Sequence, residues 1–181
     1  MIYEEKTMKS ERIYEGKILS VRIDTVELPD KKYSKREIVE HPGAVAIVPI
    51  TDDGQLVLVK QFRKATESVL LEIPAGKLEL NENPYDCAKR ELKEETGLDA
   101  EKVEQMLEYF SSPGFTNEKV RIFIASGVIS GEANPEDDEY IDIVKVNIDE
   151  ALKMIDNGII KDGKTIIGIL TAYSKIKNIE K

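Results

Sequence analysis

Glu91, Glu94 and Glu95 constrain this chain more than any other feature, because they fall at i, i+3 and i+4. On a helix that spacing sets all three carboxylates on one face. The helix has clear ends. Asn83 and Pro84 give a cap and a first-turn proline, and Thr96-Gly97 gives the stop. Like charges four residues apart cost a few tenths of a kcal/mol per pair in an isolated helix, so a positive partner is expected. A hard divalent cation held through oxygen ligands is the obvious candidate. Glu-rich helices with Lys and Arg are also common solvated faces, and Asp86–Arg90 and Arg90–Glu94 are ordinary i, i+4 pairs. The surrounding residues have to decide between the two.

The composition narrows the field. A net charge of −9 argues against non-specific binding to nucleic acid or to an anionic membrane. A single cysteine, Cys87, permits no intramolecular disulfide and fits a reducing cytoplasm. The N-terminus has no apolar run of signal-peptide length, and no stretch is long enough to span a bilayer. His41 is the only histidine, which removes a His-metal site and a Ser–His–Asp triad from consideration. Cys87 falls among the buried positions of the acidic helix and is expected in the core.

In chain order, the first ten residues are polar and expected to fray. Arg12–Leu28 alternates apolar and polar residues as one or two strands, with Gly16 as a break. Pro29-Asp30 reads as a hairpin turn, and KREIVEH as the next strand. AVAIVPI is apolar on both sides, as in a strand covered on both faces. After the turn at Asp52–Gly54, QLVLVKQF is expected to return as its antiparallel partner. VLLEIPAGKL then enters the acidic helix. VEQMLEYF and KVRIFIASGVI are two further strands around the turn-rich loop SSPGFTNE. The acidic loop GEANPEDDE leads into YIDIVKVN, and Asp149 or Asn147 is placed to cap a short helix. Ile166, Ile167, Leu170 and Tyr173 mark the apolar stripe of a closing helix. No linker divides the chain. Many antiparallel strands with a few helices on their faces make an α+β sandwich.

Extended outward, the acidic helix fits a longer pattern, G-x5-E-x7-R-E-U-x-E-E-x-G-U, where U is bulky and aliphatic. Gly76, Glu82, Arg90, Glu91, Leu92, Glu94, Glu95, Gly97 and Leu98 fill every fixed position. At residue frequencies of about a tenth or less, a chance match has a probability far below roughly 10⁻⁶. This stretch resembles the signature of the Nudix hydrolase family. The resemblance implies an α/β/α sandwich with a mixed sheet, preceded by an N-terminal antiparallel strand region over residues 1–42 that forms part of one fold. Residues 43–181 would then be the hydrolase domain. It also implies hydrolysis of a nucleoside diphosphate linked to another moiety. A diphosphate is shielded by its own charge, so its oxygens must be neutralised and a water positioned. By resemblance the metal ligands are Glu91 and Glu95, with Glu94 as a further or water-mediated one, and the carbonyl of Ala75. Arg90 would orient the carboxylates, and Glu82 would tie the loop to the helix. Oxygen ligands favour Mg²⁺, with Mn²⁺ as a substitute.

Several segments resemble the ADP-ribose pyrophosphatase subfamily. They are REIVEHPGAVAIVPI, QFR ending at Arg63, and an SPG loop whose Pro113 lies about sixteen residues past Gly97. The resemblance assigns Arg63 to phosphate, which suits the fork of arginine. It assigns Arg36 and Glu37 to the adenine and ribose, and Gly114 and Glu118 to the terminal ribose. In EDDEYIDI, Glu139 aligns best with the subfamily's mobile carboxylate, which holds a further metal or activates water; Asp137 is next. Relatives stack adenine on an aromatic from the N-terminal strands, but Ile18 and Leu19 stand in the corresponding region here, leaving Tyr14 or Tyr33 to substitute. The resemblance further implies a homodimer that exchanges N-terminal strands. The expected reaction is Mg²⁺-dependent conversion of ADP-ribose to AMP and ribose 5-phosphate. The alternatives are the same chemistry on GDP-mannose or an ADP-sugar, and a catalytically dead nucleotide sensor. The complete glutamate set argues against the sensor.

Overall fold

The computed structural model describes residues 3–131 and 140–179. The chain folds as two compact units, one of residues up to Gly43 together with Tyr109–Lys119, the other of Ala44–Glu108 with the chain from Val120 onward.

In the first unit β1 (Lys6–Glu15), β2 (Ser20–Glu27) and β3 (Tyr33–Glu40) form an antiparallel sheet in that order. The β2–β3 hairpin turns at Lys31, whose amide donates to the Leu28 carbonyl at 2.9 Å. The register sets Asp24 opposite Arg36 and Ile23 opposite Glu37. The expectation of a frayed start is corrected here. Residues from Lys6 onward are a strand paired to β2, with register shifts between Thr7 and Lys9 and between Arg12 and Tyr14, although every residue of it is exposed. An all-exposed strand carries no core-facing alternation, so periodicity could not reveal it. Residues 111–118 loop back onto β3: the Val39 amide donates to the Phe115 carbonyl at 2.8 Å, and the His41 amide to Asn117 Oδ1 at 2.9 Å.

The second unit is an α/β/α sandwich around β4 (Ala44–Pro49), whose residues 45 to 49 are all buried. β4 pairs antiparallel with β7 (Ala75–Lys77) and parallel with β9 (Lys119–Ser130) in a mixed sheet of order β7-β4-β9-β8, where β8 is Leu98–Phe110. β5 (Gln55–Arg63) lies in a second sheet between β10 (Asp142–Asn147) and β6 (Ser68–Glu72), antiparallel to both. The expected β4–β5 hairpin is therefore wrong beyond one bridge, Ile50 to Leu56. β4 and residues 56 to 59 of β5 are apolar on both faces, so hydropathy set their burial but not their partners.

Alternation along β4 divides the core between helices. Val45 and Ile47 join Phe123 and Ala125 in a cluster with Cys87, Ala88 and Leu92 of α1 (Pro84–Thr96). Val48 and Ile122 face α3 (Gly163–Ile179), where a Cβ added to Gly168 would lie 3.0 Å from Val48 and 2.9 Å from Ile73. The buried stripe of α3 is Thr165, Gly168, Ile169 and Ala172, while Leu170 is exposed. The predicted stripe was thus rotated, because it left out Gly168, whose close approach to Val48 sets the buried face. The short helix α2 (Ile148–Asp156) begins at Asn147, whose side chain makes no capping hydrogen bond. No helix among the described residues is long and apolar enough to cross a membrane.

Candidate active site

The acidic helix is fixed at both ends. Asn83 Oδ1 accepts from the Tyr85 amide at 2.9 Å. Gly97 ends the helix in the left-handed region at φ 69°, its amide donating to the Lys93 carbonyl. Cys87, Ala88 and Leu92 bury one stripe against the sheet, and Glu91 and Glu95 face β7, while Glu94 pairs with Arg90. Glu95 is 3% exposed, and its Oε2 accepts from the Ala75 amide at 3.1 Å. Beside it, Glu91 lies over Gly76 so closely that a Cβ on that glycine would sit 1.9 Å from the Glu91 Cδ and Oε1 atoms. Gly76 is a glycine because the carboxylate occupies the place of its side chain.

Part of the charge crowding is answered within the chain. Arg90 Nη1 lies 2.8 Å from both Glu91 Oε1 and Glu94 Oε2. Its Nε and Nη2 donate to the two oxygens of Glu82 at 2.9 and 3.0 Å. Glu82 Oε2 also accepts from the Glu79 amide at 3.0 Å, tying down the loop ahead of the helix. The Arg90 hydrogen bonds, with help from the Glu79 amide, outweigh burial and bring the Glu82 carboxyl down to about 2. A folded-state value below the unfolded one contributes stability that is present above the unfolded pKa of 4.5 and is lost as pH falls toward about 2. Glu82→Gln should therefore unfold more easily than the wild type at about pH 6, by urea titration, with a deficit that shrinks on acidification. A deficit unchanged with pH would refute this linkage. Cys87, buried against Arg90 with its thiol donating to the Lys77 carbonyl, has its pKa pushed up by burial and by Glu82, as befits a core thiol.

A second charged group adjoins the first. Glu72, at the end of β6 and 1% exposed, accepts from Arg63 Nε and Nη2, both at 2.8 Å. Its Oε2 also meets Lys164 Nζ from the first turn of α3, and Lys164 in turn pairs with Asp162 at 3.1 Å. Asp162 caps α3 by accepting from the Thr165 amide at 3.0 Å. The Thr165 hydroxyl accepts from the Ile73 amide at 2.9 Å. Residues 72 to 75 thus join β5, α3 and the acidic helix, and Arg63 lies within the field of Glu95. Sequence reasoning passed over Glu72, Lys164, Asp162 and Thr165. The available signal was a glutamate inside the apolar run VLLEIP.

Comparison with known proteins follows the same residues. A sequence model of the NUDIX domain matches residues 40–165, and one of the nucleoside diphosphate sugar hydrolase N-terminal domain matches residues 5–39. The chain belongs to the Nudix family of hydrolases. It is 44% identical to the methanol dehydrogenase activator of Bacillus methanolicus, over 93% of this chain and 92% of that protein. It is likewise 44% identical to the ADP-ribose pyrophosphatase of Bacillus subtilis, over 92% and 91% of the two chains. The crystal structure of an ADP compounds hydrolase has the same fold, at a TM-score of 0.88 and 20% identity, over 98% of this chain and 97% of the other.

Nudix hydrolases generally use divalent metal ions. Among the described residues no three acidic, histidine or cysteine side chains already stand gathered as a metal site; Arg90 is interposed between Glu91 and Glu94. The donor set nevertheless fits such an ion. It consists of oxygens only, it sits on a capped helix, and backbone space at Gly76 is cleared for the Glu91 carboxylate.

Ala75, Glu91, Glu94, Glu95 and Arg63 are all in the second unit. Arg36, Glu37, Gly114 and Glu118 belong to the first. Arg36 is held by Glu5 and by Ser34 Oγ at 2.9 Å, and Glu37 is exposed. Gly114 is exposed with open space at its Cβ position. Glu118 accepts from the Ser111 hydroxyl. Glu118 also lines a groove of about 430 Å³ with Ile18, Leu19, His41 and Phe115. Phe115 is an exposed aromatic that the sequence reading did not single out. Tyr14 and Tyr33 are both exposed as well. Glu139 and Asp137 lie outside the described residues.

Proposed function

We propose that this Nudix hydrolase cleaves the diphosphate of ADP-ribose to give AMP and ribose 5-phosphate, with Mg²⁺ as its ion and Mn²⁺ as a substitute. The observation that carries the reading is the seating of Glu95 on the Ala75 amide beside Glu91 over Gly76. That seating supports a reading in which oxygen donors from Ala75, Glu91, Glu94 and Glu95 serve as the ion's ligands. When bound, such an ion neutralises phosphoryl oxygens and lowers the pKa of a water. The chain's own groups do the rest. Arg63 grips the diphosphate, and Arg90 holds Glu91 and Glu94 in orientation. Glu139, with Asp137 as the next candidate, takes the proton from the attacking water as its oxygen bonds to phosphorus and the bridging P–O bond breaks. Resemblance assigns Arg36 and Glu37 to the adenosine end and Gly114 and Glu118 to the terminal ribose. Glu139→Gln should lower turnover at least about a hundredfold while substrate affinity survives; near-wild-type turnover would remove Glu139 from the mechanism.

The substrate is supported by the identity to the Bacillus subtilis pyrophosphatase. A second reading, cleavage of another nucleoside diphosphate sugar, is favoured by the N-terminal match to a nucleoside diphosphate sugar hydrolase domain. Incubation with a panel of ADP-ribose, GDP-mannose and ADP-sugars, in Mg²⁺ and then in Mn²⁺, separates the two. Selective release of AMP from ADP-ribose supports the first reading, preference for a sugar nucleotide the second, and no turnover with either metal the sensor. We also propose a cytoplasmic homodimer in which residues 1–42 form the exchanged strand region and residues 43–181 the hydrolase domain. The fully exposed β1 supports it, and sedimentation at the mass of one chain would refute it.

A further inference from the structure

One glutamate outside the proposed metal site is almost completely buried and shared by two cations. Glu72 receives the side edge of the Arg63 guanidinium in a two-point contact, and the Lys164 ammonium closes on its Oε2. A carboxylate buried to this degree is costly unless it is paired and hydrogen-bonded. Here the pairing holds its pKa below the ordinary carboxylate value despite burial, through Arg63 and then Lys164.

The geometry has a consequence for Arg63. Its guanidinium carries five N–H groups in a rigid plane. Nε–H and one Nη2–H go to Glu72, leaving the outer edge, with both Nη1–H groups and the second Nη2–H. Among the described residues no side chain takes that edge, and Arg63 is 40% exposed. An outer edge of two parallel donors matches a second anion with paired oxygens, such as a phosphate. Glu72 therefore fixes the plane and direction of the fork and leaves its phosphate-binding half outward. Lys164 supplies the second positive charge that keeps Glu72 ionised without using Arg63 up. Lys164 is itself fixed by Asp162, the cap of α3. The aim of Arg63 is thus set by a helix start about a hundred residues further along the chain.

We propose that Glu72 is a positioning residue of the diphosphate site, directing the outer N–H edge of Arg63 at the substrate, and that Lys164 is the cation that makes this possible. The proposal rests on the reading of Arg63 as a diphosphate ligand. It is tested apart from the choice of substrate by measuring the binding of ADP, which carries the diphosphate alone, by calorimetry. Arg63→Ala and Glu72→Gln should each weaken ADP about tenfold. The double variant should be less than about twofold weaker than Arg63→Ala, since Glu72 acts through Arg63. Lys164→Met should weaken ADP about threefold only when Arg63 is present, and Lys164→Arg should restore it.

If Glu72→Gln does not fold, the two Lys164 variants, lying at a partly exposed helix start, carry the same cycle. Effects of Glu72 or Lys164 that add in full to that of Arg63→Ala would mark them as merely structural and overturn the proposal. So would wild-type affinity in Glu72→Gln, or no binding of ADP to the wild type. Failure of the ADP-ribose reading would look different: ADP binding and the coupling would persist while ADP-ribose went uncleaved.

Discussion

Gly76→Ala should lower kcat about 10²-fold or more while the protein stays folded. The new methyl would stand 1.9 Å from Glu91 Cδ and Oε1 and 2.3 Å from Oε2, far inside contact distance. Something must move, and the neighbours differ greatly in what moving costs them. Gly76 is paired with Val45 in the ladder to β4, and the helix backbone is pinned by Cys87, Ala88 and Leu92 in the core. The Glu91 carboxylate is instead the end of a side chain with three rotatable bonds, and it can swing away at the cost of a rotamer. The displacement therefore falls on Glu91, the group proposed to hold the ion. It also disturbs the 2.8 Å contact of Glu91 with Arg90. A melting temperature within about 4 °C of the wild type is expected, because little apolar packing is lost. Mn²⁺ affinity measured by calorimetry should fall together with kcat. Turnover within tenfold of the wild type would show that Glu91 need not occupy this place.

The same glycine shows why the Nudix signature was legible from sequence. Gly76, Glu82, Arg90, Glu91 and Glu95 lie within twenty residues of one another, so their relation is set by one loop and one helix whose period and caps are local properties. The pairing of Glu72 with Lys164 spans 92 residues and joins a strand end to a helix start. No periodicity connects those positions, and only the oddity of a charge in an apolar run marked one of them. Strand partners failed for a related reason. β4 and residues 56 to 59 of β5 are buried on both faces, so nothing in those patterns says that β4 takes β7 and β9 while β5 takes β6 and β10. The α3 stripe was misread because its contact with β4 runs, against Val48, through Gly168, a residue too small to stand out in a hydropathy pattern.

Glu95→Gln should lower kcat about 10³-fold with little change in stability, and the contrast between those two readouts is its value. Glu95 is buried to 3% exposure, the more deeply buried of the two carboxylates beside β7. Its contact with the Ala75 amide at 3.1 Å needs only an acceptor oxygen, which the glutamine amide also supplies. The substitution conserves volume, so no cavity opens against the sheet. Burying a neutral amide in place of a carboxylate also removes a desolvation penalty, which offsets the lost attraction to Arg63. Folding should thus be nearly indifferent, with a melting temperature again within about 4 °C. Function should not be, because an amide oxygen brings no negative charge to a divalent ion and its NH₂ half repels one. Glu72→Gln makes the opposite case. There the carboxylate is answered by two cations of the chain itself, and its loss leaves Arg63 and Lys164 without their shared anion. A Glu95→Gln protein that melts many degrees lower would show that the Glu95 carboxylate, like that of Glu72, is needed for folding. One that keeps kcat within tenfold would remove it from the ion's ligands altogether.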